Sequence, residues 1–205
     1  MQKNTYKTLL LSLFMVSLYV AYIWLRIEQS RFIHEPRKSF GDTDGYLAIA
    51  SKPLFSSSFW IAEKPSGVPL FFKLLQINLE RIFRTQLWIS IFVWGLLAFI
   101  VQRSVQFFWL KPFAFAVVLA FSLSQNIIMW DPLILSDSIS VSLLALFLVC
   151  SLWLITEWRV YKFILLALTA ISLVLVRDSY SYFLLMISGV LLIFSIYPPP
   201  LHVGV

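Results

Sequence analysis

Long apolar runs separated by short polar connections make up most of the chain. A helix that crosses a bilayer needs about 20 predominantly apolar residues, and shorter ones cross when flanking side chains reach the interface. Six runs fit this description, so the pattern predicts an all-α integral membrane protein with one transmembrane domain over residues 1–205. The runs are Thr8–Leu25, Leu87–Val101, Pro112–Trp130, Leu133–Thr156, Phe163–Val176 and Tyr180–Tyr197.

The first run, residues 8–25, could be read as a signal peptide or as a retained helix. It is longer than the apolar part of a signal peptide, and no small-residue cleavage site follows it. The residues that come next begin with Arg26 and are mostly polar. We therefore expect a retained anchor helix.

Residues 26–86 form a long connection before the second run, and this connection holds most of the charged residues. Residues 41–43, Gly-Asp-Thr, are typical of a helix start, and Pro53 is expected to end that helix. Gly67-Val68-Pro69 opens a second helix, because proline suits a first turn. Apolar residues then recur at helical spacing opposite charged ones, so we predict one amphipathic helix from Pro69 to Arg84 lying in the membrane interface.

The composition agrees with a membrane protein. Hydrophobic residues make up 60% of the chain, charged residues only 13%, and the mean hydropathy is +0.86. A soluble domain of this size needs more polar surface. The net charge of +6 lacks a solvated basic face, which favours anionic lipid headgroups or phosphates as partners and argues against nucleic acid. The lone Cys150 cannot form an internal disulfide, and we expect it to be buried or to face lipid.

The distribution of basic residues in the short connections predicts the orientation. Six of them fall on the side of the N-terminus, whereas the opposite short connections carry only Arg177. By the positive-inside rule, the N-terminus is cytoplasmic and the 26–86 connection is extracytoplasmic, in a multi-pass protein of the plasma or inner membrane. Arg26, Arg31, Arg81 and Arg84 argue the other way, but long segments translocate largely regardless of charge.

Two aspartates, Asp42 and Asp44, stand just after the first span on the predicted outer face. A carboxylate there can act as a general base on an incoming hydroxyl or amine. It can also hold a divalent cation, which stays open as a cofactor. The alternative is a helix cap together with first-turn charges that complement the helix dipole.

Residues 41–50, GDTDGYLAIA, resemble the acidic motif after the first transmembrane helix of C-type, multi-pass glycosyltransferases. This clan includes protein mannosyltransferases and lipid-A aminoarabinose transferases. In its motif an acid precedes a tyrosine by about four positions, which aligns Asp42 with the catalytic base and Tyr46 with the tyrosine. Asp44 is an additional acid, because Thr43 stands where some members have the second acid of an Asp-Glu pair.

Two later stretches extend the resemblance. Residues 130–138, WDPLILSDS, resemble the start of a helix in that clan, with Asp137 in place of the usual glutamate. Residues 175–179, LVRDS, resemble the arginine at the outer end of a helix, although Asp178 stands where proline is common. Arginine can grip a phosphate with a bidentate fork. The alternatives are a charge at a helix end for Asp137 and an interfacial anchor for Arg177.

The resemblance implies an inverting glycosyltransferase that moves a sugar from a polyprenyl-phosphate donor to an extracytoplasmic glycan, lipid or protein. Asp42 and Asp44 would be catalytic, and Tyr46, Asp137 and Arg177 would bind substrate. Enzymes of this clan are usually much longer, so a fragment is expected. The rival hypothesis is a non-catalytic membrane subunit or a transporter fragment. A zinc site is not expected, because His34 and His202 lack further ligands at suitable spacing.

Overall fold

The structure, a computed structural model, describes residues 2–31 and 41–196. Over these two ranges the chain forms helices and no β-strand. The expected all-α class is therefore confirmed for this part of the chain. The helices are α1 Gln2–Arg31, α2 Asp42–Ser51, α3 Ser57–Trp60, α4 Gly67–Leu74, α5 Leu79–Ser104, α6 Leu110–Ser122, α7 Gln125–Ile128, α8 Ser136–Thr156, α9 Val160–Val176 and α10 Ser179–Ile196.

Three helices in the described ranges are long and apolar enough to cross a membrane. They are Leu9–Ser30 within α1, the whole of α5 and the whole of α8. Two further apolar helices, α6 and α9, are shorter, with 13 and 17 residues. Every predicted span overlaps a helix, but the third, 112–130, is not continuous. The chain leaves the helix at Ser122, because Ser124 has an extended backbone (φ −65°, ψ 147°), and a separate short helix follows.

The first helix is longer than predicted. We expected residues 8–25, whereas α1 continues to Arg31 and contains Arg26 as a helical residue. A charge normally marks the edge of an apolar span. Arg26 does not, since its guanidinium is buried against a carboxylate from a distant part of the chain.

The predicted amphipathic helix from Pro69 to Arg84 is wrong as a single element. Helix α4 ends at Leu74, and both Gln76 and Ile77 then adopt the left-handed conformation, with φ of 59° and 56°. That conformation is rare for residues other than glycine and breaks a helix. Helix α5 starts afresh after Asn78, whose side chain accepts a hydrogen bond from the backbone N–H of Arg81 at 3.0 Å. The charged C-terminal half of the predicted interfacial helix is thus the start of α5, a helix long and apolar enough to cross a membrane.

Helix α5 is the centre of the helical bundle. It packs against both α6 and α8, and α8 packs in turn against α9. Its residues Ile91, Trp94 and Ala98 are buried in a core that also includes Phe115 and Ala145. By contrast, most of α1 faces outwards, as expected for a helix surrounded by lipid.

The segment after α1 folds onto one end of this bundle. A second apolar core joins Tyr46 of α2 and Phe72 of α4 with Ile82 of α5, Ile139 of α8 and Val176 of α9. Contact is so close at Gly67 that a Cβ there would lie 2.6 Å from the carbonyl oxygen of Leu175. Helices α2 and α4 therefore cover the N-terminal end of α8 and the C-terminal end of α9.

Candidate functional site

Asp42 begins helix α2 at the surface. The N-cap is Gly41, with a φ of 78° that suits glycine, so the expectation that Asp42 caps the helix is wrong. Asp42 and Asp44 instead place negative charge in the first turn, where the helix dipole favours it. The side chain of Asp42 is 70% exposed, and its Oδ1 accepts a hydrogen bond from Lys64 Nζ at 2.5 Å. An exposed carboxylate held by a lysine is accessible to a substrate.

The face of α2 that lies opposite Asp42 packs against the bundle. The buried Thr43 donates from Oγ1 to the carbonyl oxygen of Ile134 at 3.0 Å. Tyr46 is also buried and packs edge-on against Phe72, with ring centroids 6.3 Å apart. The ammonium of Lys64 lies 4.7 Å from the centroid of the Tyr46 ring, within cation–π range. Tyr46 therefore supports the lysine that holds Asp42.

Asp137 and Arg177, which the sequence suggested separately, form an ion pair. Asp137 lies in the first turn of α8, and Arg177 follows the last residue of α9. Both ends favour the charge they carry, because the helix dipole is positive at an N-terminus and negative at a C-terminus. Arg177 is about half exposed, and its guanidinium has five N–H donors, so it can bind an anion while still paired.

The structure brings these residues to the same end of the bundle as two separate ion pairs. Thr43, next to Asp42 in α2, contacts Ile134, which lies just before the helix that carries Asp137. Asp42 itself is paired with Lys64. The arrangement therefore offers an exposed proton acceptor and a half-exposed cation at one end of the bundle.

A third ion pair was not foreseen from the sequence. Arg26 is almost fully buried, with 1% of its surface exposed, and its Nη2 lies 2.5 Å from Asp131 Oδ2 and 2.6 Å from Ser90 Oγ. Its Nη1 donates to the carbonyl oxygen of Ser122 at 2.7 Å. These contacts join α1 to α5, to the end of α6 and to the connection before α8. Burial raises the pKa of Asp131, and the Arg26 guanidinium offsets part of that rise.

This pair also supports the end of the bundle where Asp42, Asp137 and Arg177 lie. Asp131 belongs to the short connection that ends at Leu135, just before α8. Within it, the carbonyl of Ile134 receives the Thr43 hydroxyl, and Gln86 Nε2 lies 3.5 Å from the carbonyl oxygen of Leu135. By holding Asp131 in position, the ion pair therefore helps to hold the Ile134 carbonyl that accepts the hydrogen bond from α2. In the sequence Arg26 stands directly after the apolar run 8–25, and only the extension of α1 to Arg31 shows it to be an arginine within an apolar helix, which is by default a paired or functional residue.

The described residues contain no group of three or more histidine, cysteine, aspartate or glutamate side chains suited to a metal ion. The sequence predicts that Cys150 is either buried or facing lipid. In the structure it is buried, with its sulfur 3.8 Å from Thr169 Oγ1. His34, His202 and the proline run 198–200 lie outside the described residues.

Comparisons with protein-family profiles, curated proteins and solved structures found no match. The chemical assignment of the site therefore depends on its own geometry and on the motif resemblance. That geometry comprises an exposed carboxylate held by lysine and an arginine available to an anion. Such groups suit a reaction in which an acceptor loses a proton and a phosphate leaves.

Proposed function

We propose that the chain is an inverting membrane glycosyltransferase, or part of one, that uses a polyprenyl-phosphate sugar. The observation that supports this most is the docking of α2 through Thr43 onto Ile134. It brings Asp42 to the end of the bundle where Asp137 and Arg177 form their pair. Those are three of the residues that the motif resemblance selects, although they lie far apart in the chain.

In the proposed reaction, Asp42 accepts the proton of an acceptor hydroxyl or amine. The acceptor atom attacks the anomeric carbon of the sugar from the face opposite the phosphate. The bond between that carbon and the phosphate oxygen breaks, and polyprenyl phosphate leaves with the bonding electrons. Arg177 meets the phosphate charge, and Asp137 orients Arg177 through their ion pair. Asp44, in the same helical turn, adds a second negative charge at this end of α2.

The apolar surface of the bundle supports a lipid-borne donor. A groove beside α1 is lined almost entirely by apolar side chains, including Met15, Phe92 and Leu96. Gly95 also lines this groove. The Tyr19 ring lies close to Gly95, because glycine has no Cβ to occupy that space. Such a groove offers a prenyl chain a place between helices.

The proposal includes six spans and an extracytoplasmic site. The end of α6 at Ser122 and the connection before α8 at Asp131 both contact Arg26 near the C-terminal end of α1. Helices α2 and α4 lie at that same end. With the basic connections in the cytoplasm, the site faces the outside of the plasma or inner membrane.

A non-catalytic membrane subunit or transporter fragment is the second candidate, and one observation favours it. The Arg26–Asp131 pair is the most deeply buried ion pair in the described part of the chain, and intramembrane charges often serve assembly or a solute path. Under this alternative the chain has no need to bind a prenyl phosphate. The two candidates therefore differ in a measurable property.

Binding of polyprenyl phosphate itself tests the proposal, because every donor of this type releases it whatever sugar it carries. The full chain in lipid nanodiscs would be titrated with polyprenyl phosphate and, separately, with the uncharged polyprenol. We expect the phosphate to bind at least about tenfold more tightly, since charged hydrogen bonds contribute about 1.5–3 kcal/mol.

Arg177→Gln supplies the site-specific comparison. It should remove most of the preference for the phosphate, whereas Arg84→Gln should retain it, because Arg84 is an exposed arginine on α5 that pairs with Glu80. Equal binding of phosphate and polyprenol by the unaltered chain would contradict the proposal and favour the non-catalytic alternative.

A further inference from the structure

The connection between α2 and α4 presents large apolar side chains to the outside. Phe55 is 98% exposed, Ile61 84% and Trp60 49%. Between them, Phe59 is fully buried. Three exposed apolar side chains this close together are costly in water and need an apolar partner.

Three polar side chains in the first part of this connection, those of Lys52, Ser56 and Trp60, are paired within it. Trp60 Nε1 donates to the carbonyl oxygen of Leu54 at 2.7 Å, and Ser56 Oγ donates to that of Pro53 at 2.7 Å. Lys52 Nζ lies 3.3 Å from the carbonyl oxygen of Ser58. A segment whose polar groups bond to each other can enter a region of low polarity without losing hydrogen bonds to water.

Lys73 holds the connection in a fixed orientation. Its Nζ donates to the carbonyl oxygens of Ala50 and Lys52, at 2.9 and 2.7 Å, where α2 ends. The same ammonium lies 5.9 Å from the centroid of the buried Phe59 ring. Because the Phe59 side chain packs inwards beside Lys73, the side chain of the next residue, Trp60, is directed outwards.

The connection also lies at the level where the spanning helices end. It leads directly into Gly67, whose backbone touches the carbonyl of Leu175 in the last turn of α9. Apolar and aromatic side chains at that level meet the boundary between headgroups and acyl chains, where tryptophan is favoured. Lys52, at the start of the connection, adds a positive charge that suits anionic headgroups.

We infer that the segment 52–61, called here the anchor loop, inserts Phe55, Trp60 and Ile61 into the leaflet at this end of the bundle. The lipid bilayer is thus the partner of this surface. The anchor loop would hold α2 against the membrane and fix the height of Asp42 above it. The inference does not depend on sugar transfer, because it concerns only where these side chains lie.

Depth-dependent quenching by brominated lipids tests this. Single cysteines would replace Phe55 and Ile61 in a Cys150→Ala background, and each would carry an environment-sensitive fluorophore in the full chain in liposomes. Glu63→Cys is the matched control, because Glu63 is an exposed charged residue just after the anchor loop. Leu168→Cys, on the exposed face of α9, reports the acyl region.

We expect the probes at positions 55 and 61 to be quenched most by lipids brominated near the headgroup. The probe at 168 should be quenched most by lipids brominated deep in the chain, and the probe at 63 by neither. Aqueous emission at both 55 and 61 would overturn the inference. Shielded emission that brominated lipid does not quench would also overturn it, since a protein surface rather than lipid would then cover the loop.

Discussion

Arg26 and Asp131 form a buried ion pair with 2.5 Å between Nη2 and Oδ2, although 105 residues separate them along the chain. The pair joins the end of the first helix to the connection before α8. The guanidinium also donates hydrogen bonds to Ser90 Oγ and to the carbonyl oxygen of Ser122. Removing one charge leaves the other buried without a partner.

We expect Arg26→Met to destabilise the fold by about 3–5 kcal/mol, because breaking a buried pair strands its other charge. Asp131→Asn should cost a similar amount. The double variant Arg26→Met/Asp131→Asn should cost less than the sum of the two. Unfolding in mixed detergent micelles, followed by tryptophan fluorescence, measures all three.

Arg84→Met is the control for that series, since Arg84 pairs with Glu80 on an exposed helical surface. Exposed pairs contribute about 0.2–1 kcal/mol. If Arg26→Met were as mild as Arg84→Met, the buried pair would not hold α1 to the bundle.

Gly67→Ala should loosen α4 from the end of α9. The new Cβ would lie 2.6 Å from the carbonyl oxygen of Leu175 and 3.1 Å from the backbone nitrogen of Val176, neither of which can move aside easily. We expect a loss of at least about 1–3 kcal/mol, the usual cost of overpacking. Limited proteolysis of the 52–78 region should become faster, which mass spectrometry would show.

Gly45→Ala provides the comparison for that substitution. Its Cβ would meet only the flexible end of Lys64, with Cε at 2.9 Å. The lysine can move, so proteolysis should stay close to that of the unaltered chain. Equal sensitivity of the two variants would mean that close backbone contact at Gly67 does not hold the segment in place.

Labelling at Ser57 tests the orientation of the chain. Ser57 is exposed at the start of α3, and Cys150 would be replaced by alanine to leave one thiol. We expect Ser57→Cys to react with a membrane-impermeant maleimide in intact cells, because the positive-inside rule predicts that this end lies outside. Reaction only after lysis would reverse the orientation and place Asp42 in the cytoplasm.

Local signals in the sequence predicted local structure well. The start of α2 after Gly41 and its end before Pro53 follow from the residues themselves. The break between α4 and α5 did not, because Gln76 and Ile77 are not residues that favour a left-handed backbone. The apolar period continued across the break, and only the capping Asn78 marked the new helix.

The pairing of charged residues that lie far apart in the sequence could not be predicted from local patterns. From the sequence alone, Arg26 is a charge that flanks the long connection and Asp131 is part of a short connection, because no local pattern links them. Likewise, Asp137 and Arg177 were selected separately, and only the packing of α8 against α9 makes them a pair. Asp42 was placed correctly at the start of α2, but its partner Lys64 lies 22 residues away and carries no motif.

Sugar transfer by Asp42→Asn, assayed with the full chain in liposomes, tests the proposed role of Asp42 most directly. Asparagine can still accept the hydrogen bond from Lys64 and keeps the shape of the side chain, but it cannot take a proton. We expect transfer to fall by about 100- to 10,000-fold, the usual contribution of a general base, while folding is retained. Asp44→Asn should do less damage, and Asp178→Asn, an exposed acid beside Arg177, should leave transfer near normal. Near-normal transfer by Asp42→Asn would contradict the account, leaving Asp42 as a first-turn charge paired with Lys64.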